Sequence, residues 1–266
     1  MKLTFCPLFS GSAGNALLVC GGDTRILIDC GMTGKQITEA LLSVGVLPET
    51  LSGMVITHEH SDHIKGAGII SRKYHVPIYA NEPTWNAMSR NVGEIDRQNR
   101  RFFDSDADFM IGDLFIKPFL IPHDAAEPVG FHVHYGNRSI ATATDMGHML
   151  KRVYEEIKTA DIVLLESNHD PQMLMDNPHY SYTLKQRILG NHGHLCNEIC
   201  SKTLVKLCEA GVHRAVLGHL SGENNTPQLA MDTAVETLTN AGAVLGDDIT
   251  VDMSWRDRPG NVYTIE

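Results

Sequence analysis

No two of the six cysteines stand in a CxxC pair, and positions 6, 20, 30, 196, 200 and 208 form no regular framework. That excludes a disulfide-stapled scaffold and points to a reducing compartment. Several of these cysteines sit in apolar runs, where a free thiol behaves as a small hydrophobe. No run approaches the ~18 apolar residues of a membrane span. The opening stretch MKLTFCPLFSGSAGN breaks its apolar run and offers no cleavage site, so it is a poor secretory signal. A soluble, cytoplasmic protein without a membrane partner is expected. Positive charge is also short: 22 Lys and Arg face 32 Asp and Glu, a net of −10. Loose adhesion to nucleic acid is therefore disfavoured, unless bound cations or a local basic patch reverse the field. The stretch RQNRRFF, with Arg90 upstream, is the densest basic run, and a solvated arginine-rich face explains it most simply. Linkers, repeats and charge blocks are missing as well. Residues 1–266 are expected to form one domain, long enough to bury a sizeable core.

What is present alternates between two patterns. KLTFCPL, ALLVCGG and TRILIDCG predict strands separated by glycine-rich turns. TGKQITEALLSVGV predicts a helix with Ile37, Ala40, Leu41 and Val44 on one face, and IKGAGIISRKYH a second that stops before Pro77. Strands LFIKPFLIP, VGFHVHYG and RSIATATD follow. The second half then alternates helix and strand, through GHMLKRVYEEIK, DIVLLES, helices around 181–190 and 197–210, RAVLGH and TPQLAMDTAVETLTNA. Two β-rich blocks, each followed by helices, predict an α/β fold of two packed sheets with the polar clusters at strand ends.

The densest cluster is VITHEHSDH, residues 55–63. An extended backbone points His58 and His60 to one side. After a turn, adjacent Asp62 and His63 can face a second centre. Imidazole and carboxylate donors suit Zn²⁺, and Mn²⁺ or Fe²⁺ where more oxygens join. A polar loop of hydrogen-bonded histidines is the bland alternative, and this spacing is too specific for it.

The pattern resembles the metallo-β-lactamase superfamily, over nearly the whole chain. Its successive motifs are matched by Asp29 in ILIDCG, by His58, His60, Asp62 and His63, by His123 in FLIPHDAAEP, by Asp145 in ATATDMG and by His219 in AVLGHLSGENN. The resemblance implies a four-layer αββα sandwich, two mixed β-sheets flanked by helices, with two divalent ions at the sheet edge. His58, His60 and His123 would hold one ion; Asp62, His63 and His219 would hold the other; Asp145 would bridge them. Asp29 would orient ligands through hydrogen bonds. Two such ions ~3.5–4 Å apart acidify a shared water and stabilise attacking and leaving oxygens, which is metal-assisted hydrolysis. Asp62 would also orient the attacking hydroxide.

Glu166, ending DIVLLE, and His194, in GNHGHLCN, match a pair that protonates the leaving alkoxide in the tRNA-processing endonucleases of the superfamily. Phosphodiester cleavage needs such an acid. A strand-end carboxylate capping a neighbouring helix is the simpler reading of Glu166 alone. FSGSAGN, with Ser12 and Asn15, would let backbone N–H groups approach a phosphate, or is simply a hairpin turn. His148 and His169 would line the pocket. Asn197 caps a helix or touches substrate, capping being the safer choice. Ser221 contacts phosphate or turns the chain. His132 and His134 share a strand face and read as surface or core. The motifs SGSAGN, THEHSDH, ESNHD and HLSGENN are most similar to a short bacterial branch, the YycJ-type proteins, with Cys196 where that branch carries serine. The branch implies exonucleolytic degradation of DNA, or of RNA, from a 5′ end, with nucleic-acid ends as substrate. A small-molecule hydrolase acting on a lactone, thioester or cyclic phosphodiester is the first alternative, and a non-catalytic metal-binding regulator the second.

Overall fold

The computed structural model describes residues 2–266. The architecture is α/β, with two mixed seven-stranded sheets flanked by helices. One domain was expected; the chain divides into two compact units, residues 1–120, 125–139 and 254–266 in the first, 121–124 and 140–253 in the second.

In chain order the first unit carries β1 (Leu3–Phe9), β2 (Ala16–Gly21), β3 (Thr24–Ile28), α1 (Gly34–Ser43), β4 (Gly53–Val55), α2 (Ser61–Ile64), α3 (Ala67–Tyr74), β5 (Ile78–Ala80), α4 (Glu82–Val92), β6 (Arg100–Phe102), β7 (Phe109–Ile111), β8 (Leu114–Leu120) and β9 (Val129–Tyr135). There follow β10 (Arg138–Ala143), α5 (Lys151–Ile157), β11 (Ile162–Glu166), α6 (Pro171–Asp176), α7 (Tyr182–Leu189), α8 (Asn197–Glu209), β12 (Arg214–Gly218), α9 (Pro227–Asn240) and β13 (Thr250–Met253). The chain returns to the first unit for β14 (Tyr263–Ile265).

The first unit holds a sheet of order β14-β1-β2-β3-β4-β5-β6. Pairing is antiparallel from β14 to β3 and parallel from β3 to β6. Its parallel strands are in register, Ile28 beside Val55 and Val55 beside Tyr79, so the residues after them emerge at one edge. Beneath lies a core that includes Leu27, Leu41, Met54, Ile56, Ile70 and Trp85. Helix α1 contributes Ile37, Ala40 and Leu41 from the expected face and starts with a capping box between Thr33 and Gln36. Strands β7, β8 and β9 form an antiparallel meander in the same unit.

In the second unit β10, β11, β12 and β13 are all parallel. Ala143 pairs with Leu165, and Glu166 with Gly218, so this edge too gathers the residues that follow the strands. Ligands of α/β sheets bind at such carboxyl-terminal edges.

Helix α4 was not anticipated, although Asn81 caps it, Pro83 stands in its first turn and Trp85, Met88 and Val92 are buried at helical spacing. The short edge strands β6 and β7 were also missed, being too brief for a period of two to register. The arginine-rich run proves to be solvated: Arg97, Arg100 and Arg101 are exposed, and Arg100 lies over the Trp85 ring at 5.1 Å.

Candidate metal centre

In the first unit the cluster grows from the ends of β3 and β4. Asp29 follows β3 with φ of 61°, a left-handed conformation that a short polar side chain tolerates. Its buried carboxylate takes three bonds. Oδ1 accepts from Thr57 N at 2.8 Å; Oδ2 accepts from Thr57 Oγ1 at 2.9 Å and from His63 Nδ1 at 2.8 Å. Since the one Thr57 hydroxyl proton goes to Asp29, Thr57 Oγ1 can only accept from His58 Nδ1, 3.0 Å away. Both imidazoles thus donate from Nδ1, which leaves Nε2 as the nitrogen open to a metal. His60 packs edge-on against His58, ring centroids 4.7 Å apart, and His58 and His63 stand 4.0 Å apart. Asp62 Oδ2 lies 3.5 Å from His63 Nε2.

The short helix α2, which bears Asp62, is stitched down by backbone bonds. Asn15 N donates to Asp62 O at 2.8 Å, and Cys30 N to His63 O at 2.7 Å. Gly31 packs so closely there that a Cβ would collide with the Asp62 carbonyl. Asn15 is buried; its Oδ1 accepts from Gly11 N at 3.0 Å, and its Nδ2 lies 3.2 Å from His63 Nε2. It therefore meets the cluster at the nitrogen that His63 would turn to a metal. Ser12, in the same turn, is exposed.

In the second unit His123, Asp145, Glu166, His194 and His219 converge. One ligand atom from each of Asp145, Glu166, His194 and His219 lies within 4.8 Å of the others. Asp145 and His219 follow β10 and β12 with φ of 59° and 55°. Of four non-glycine residues with positive φ among the described residues, Asp29, Asp145 and His219 belong to the expected site; the fourth, His75, ends α3. Such strain, about 1–3 kcal/mol each, persists where surrounding structure enforces it. No sequence pattern announced it.

Glu166 is fully buried. Oε1 accepts from His194 Nδ1 and His219 Nδ1, each at 2.8 Å. Oε2 accepts from Met146 N at 2.8 Å and Leu195 N at 3.1 Å. Burial works to raise its pKa, but the charge and hydrogen bonds of the two imidazoles outweigh that and hold the carboxyl well below the usual range. It caps no helix. His123 Nδ1 donates to the His192 carbonyl at 3.1 Å, and burial lowers the pKa of its ring against the pull of Asp145.

His58, His63, His123 and His219 therefore all commit Nδ1–H to an oxygen, which leaves Nε2 as the nitrogen that carries the lone pair when the ring is neutral. That is the tautomer a metal requires, fixed by the oxygen partners that metal-binding histidines use. With Asp62 and Asp145 the donors are nitrogen and oxygen only, a set suited to Zn²⁺, Mn²⁺ or Fe²⁺. In chemistry and tautomer each unit fits a divalent ion.

Other expected contacts lie elsewhere. Helix α8 starts at Asn197 with Cys196 as its N-cap, so Asn197 does not cap it. Its side chain is buried instead, accepting from Ser167 Oγ at 2.7 Å and bonded to Asn225. This corrects both the capping and the substrate readings of Asn197, because its polar atoms are already engaged. Ser221 is buried too, its hydroxyl accepting from Asn224 N at 3.2 Å, as a turn residue does. His148 donates from Nδ1 to the Asn191 carbonyl at 3.0 Å. His169 is buried, 3.3 Å from Asn168 Oδ1. Sequence reasoning passed over Thr57 and Asn168, whose Nδ2 donates to the His219 carbonyl at 2.8 Å and steadies that left-handed residue. It also passed over Asn225, which donates to the Ser167 and Asn168 carbonyls. The repeated asparagines of HLSGENN were the one available signal.

A family model described as the metallo-beta-lactamase superfamily matches residues 10–183. The chain is 40% identical over 93% of its length to the exodeoxyribonuclease YycJ of Bacillus anthracis, covering 93% of that protein. It is 38% identical over 92% of its length to the exodeoxyribonuclease WalJ of Streptococcus pneumoniae, covering 91% of that one. Among solved structures, the metallo-beta-lactamase fold protein YhfI from Bacillus subtilis superposes over 99% of this chain and 100% of its own, at a TM-score of 0.74 and 16% identity. That likeness shows the fold.

Proposed function

The chain belongs to the metallo-beta-lactamase superfamily, and from that membership we propose that it is a metal-dependent exodeoxyribonuclease working from the 5′ end of DNA. The carrying observation is the buried Glu166 carboxylate bonded to His194, within one unit and at the strand edge. Full-length similarity to two exodeoxyribonucleases supports the same substrate class.

In this reading His58, His60 and His123 would hold one divalent ion and Asp62, His63 and His219 a second, with Asp145 as a further ligand. The two units act as halves of a single domain. Divalent ions held there would supply acidification of water and would offset charge on the phosphodiester oxygens. The remaining work falls to side chains. Asp62 accepts a hydrogen bond from the attacking water and aims it. Asp29, Thr57 and Glu166 hold histidine tautomers. His194 receives its orientation from Glu166 through Nδ1 and, when protonated, passes a proton from Nε2 to the leaving oxygen. All six cysteines are free, and no helix among the described residues is long and apolar enough to cross a membrane; both support a cytoplasmic setting.

The test is incubation with Mn²⁺ or Zn²⁺ and end-labelled single- and double-stranded DNA and RNA, with Asp62→Asn as control. Ordered loss of nucleotides from one end, abolished in the control, is expected. Cleavage of none of these nucleic acids under either metal would overturn the proposal in favour of a small ester or phosphodiester.

A further inference from the structure

Helix α7 buries none of its eight residues. A helix this short is marginal in water and ordinarily persists by packing an apolar face. This one is held by other means. Ser181 Oγ caps it, accepting from Leu184 N at 3.2 Å. Lys185 Nζ donates to the Met175 carbonyl at 2.6 Å, and Arg187 Nε pairs with Asp124, the neighbour of His123.

Its far end is wired to the candidate site of the same unit. His194 N donates to Ile188 O at 3.0 Å, and Gly193 N to Gly190 O at 2.9 Å. The carbonyls of Asn191 and His192 hold His148 and His123. Gly147 lies so close beneath this loop that a Cβ would strike the Asn191 backbone. The end of the helix and His194 are thus joined directly by hydrogen bonds.

The outward face is chemically distinctive. Tyr182 is 73% exposed and Leu189 39%, and their spacing places them on one side of the helix. Between Asp176 and Glu198 the sequence has no carboxylate, but it has Lys185, Arg187, His179, His192 and His194. In a chain of net charge −10, this stretch is favourable to an anion, even with Asp124 offsetting part of Arg187.

We propose that α7 docks a single-stranded DNA end, with Tyr182 stacking on a base and Lys185 and Arg187 attracting the backbone, so that the chain's fixed path from α7 to His194 presents a phosphodiester to the acid. The occupant is single-stranded because a base face must be free to stack, and aromatic platforms with basic flanks bind such strands with little sequence preference. The inference rests on the nuclease reading and extends it by naming where the strand lies.

The experiment is a titration of the Mn²⁺-loaded protein with a fluorescent, cleavage-resistant phosphorothioate 12-mer, comparing the parent with Tyr182→Ala and Tyr182→Phe. Tyr182→Ala is expected to weaken binding about ten-fold, while Tyr182→Phe, which keeps the ring, stays near the parent. Equal Kd values for Tyr182→Ala and the parent would overturn this inference while leaving the nuclease reading standing. A parent that neither binds nor cleaves DNA would overturn both.

Discussion

His194 and His219 donate their Nδ1 protons to the same oxygen, Oε1 of Glu166, each over 2.8 Å. One carboxylate thus orients both a proposed proton donor and a proposed metal ligand. Its other oxygen is occupied by the Met146 and Leu195 amides, so it cannot turn to serve one histidine at the expense of the other.

That sharing separates two substitutions that would otherwise look alike. His194→Ala is expected to lower kcat by about 10²–10⁴-fold with metal content unchanged, because it removes a proton donor. Glu166→Gln is expected to lower kcat and also weaken metal binding by about 10–100-fold, because His219 loses its carboxylate. Turnover and bound metal, measured together on each variant, check both. Metal loss in His194→Ala would make His194 a ligand.

Cys196 occupies the N-cap of α8 and makes no capping bond. Cys196→Ser places a hydroxyl where an orphan amide of the first turn can use it, and is expected to raise unfolding stability by about 0.5–1 kcal/mol. Urea unfolding of the two proteins measures it. No gain would mean that the serine adopts a rotamer turned away from the helix.

His169 is buried and its pKa is pushed down to about 4, mainly by desolvation. In the unfolded chain the same ring titrates near 6.5. Between these values the unfolded state binds the extra proton, so stability falls as pH drops from about 6.5 toward 4 and is fully present above 6.5. The loss from this residue amounts to at most about 3 kcal/mol. His169→Gln is expected to flatten that part of the profile, read as the thermal midpoint between pH 7 and 4.5. An unchanged slope would assign the acid sensitivity to other groups.

The elements were legible where the pattern was long. Strands β1, β2 and β3, with α1, β11, α8 and α9, all stand where period and composition put them. The short pieces β5, β6 and β7 are three residues each, and nothing in three residues separates strand from loop. At the site, the donors were legible because a strand followed by a turn confines His58, His60, Asp62 and His63 to a few positions. Their supports were not. Thr57, Asn168 and Asn225 act across 28 to 58 positions of sequence, and an asparagine bonded to a distant carbonyl looks, in a sequence, like any turn residue. Asn197 misled for the same reason: its place before a helix suggested a cap, but burial had already committed its amide.

Asp29, Asp145 and His219 carry their functional groups on backbone that few residues accept. Drift at these positions is accordingly narrow. Most replacements deepen the strain, asparagine keeps the shape but forfeits the charge, and glycine alone relaxes the backbone while deleting the donor. In a descendant of this chain freed from selection for chemistry, glycine at these three sites would relax the backbone while giving up the buried hydrogen bonds that Asp29 and His219 make. Glycine there would be the molecular scar of an abandoned enzyme.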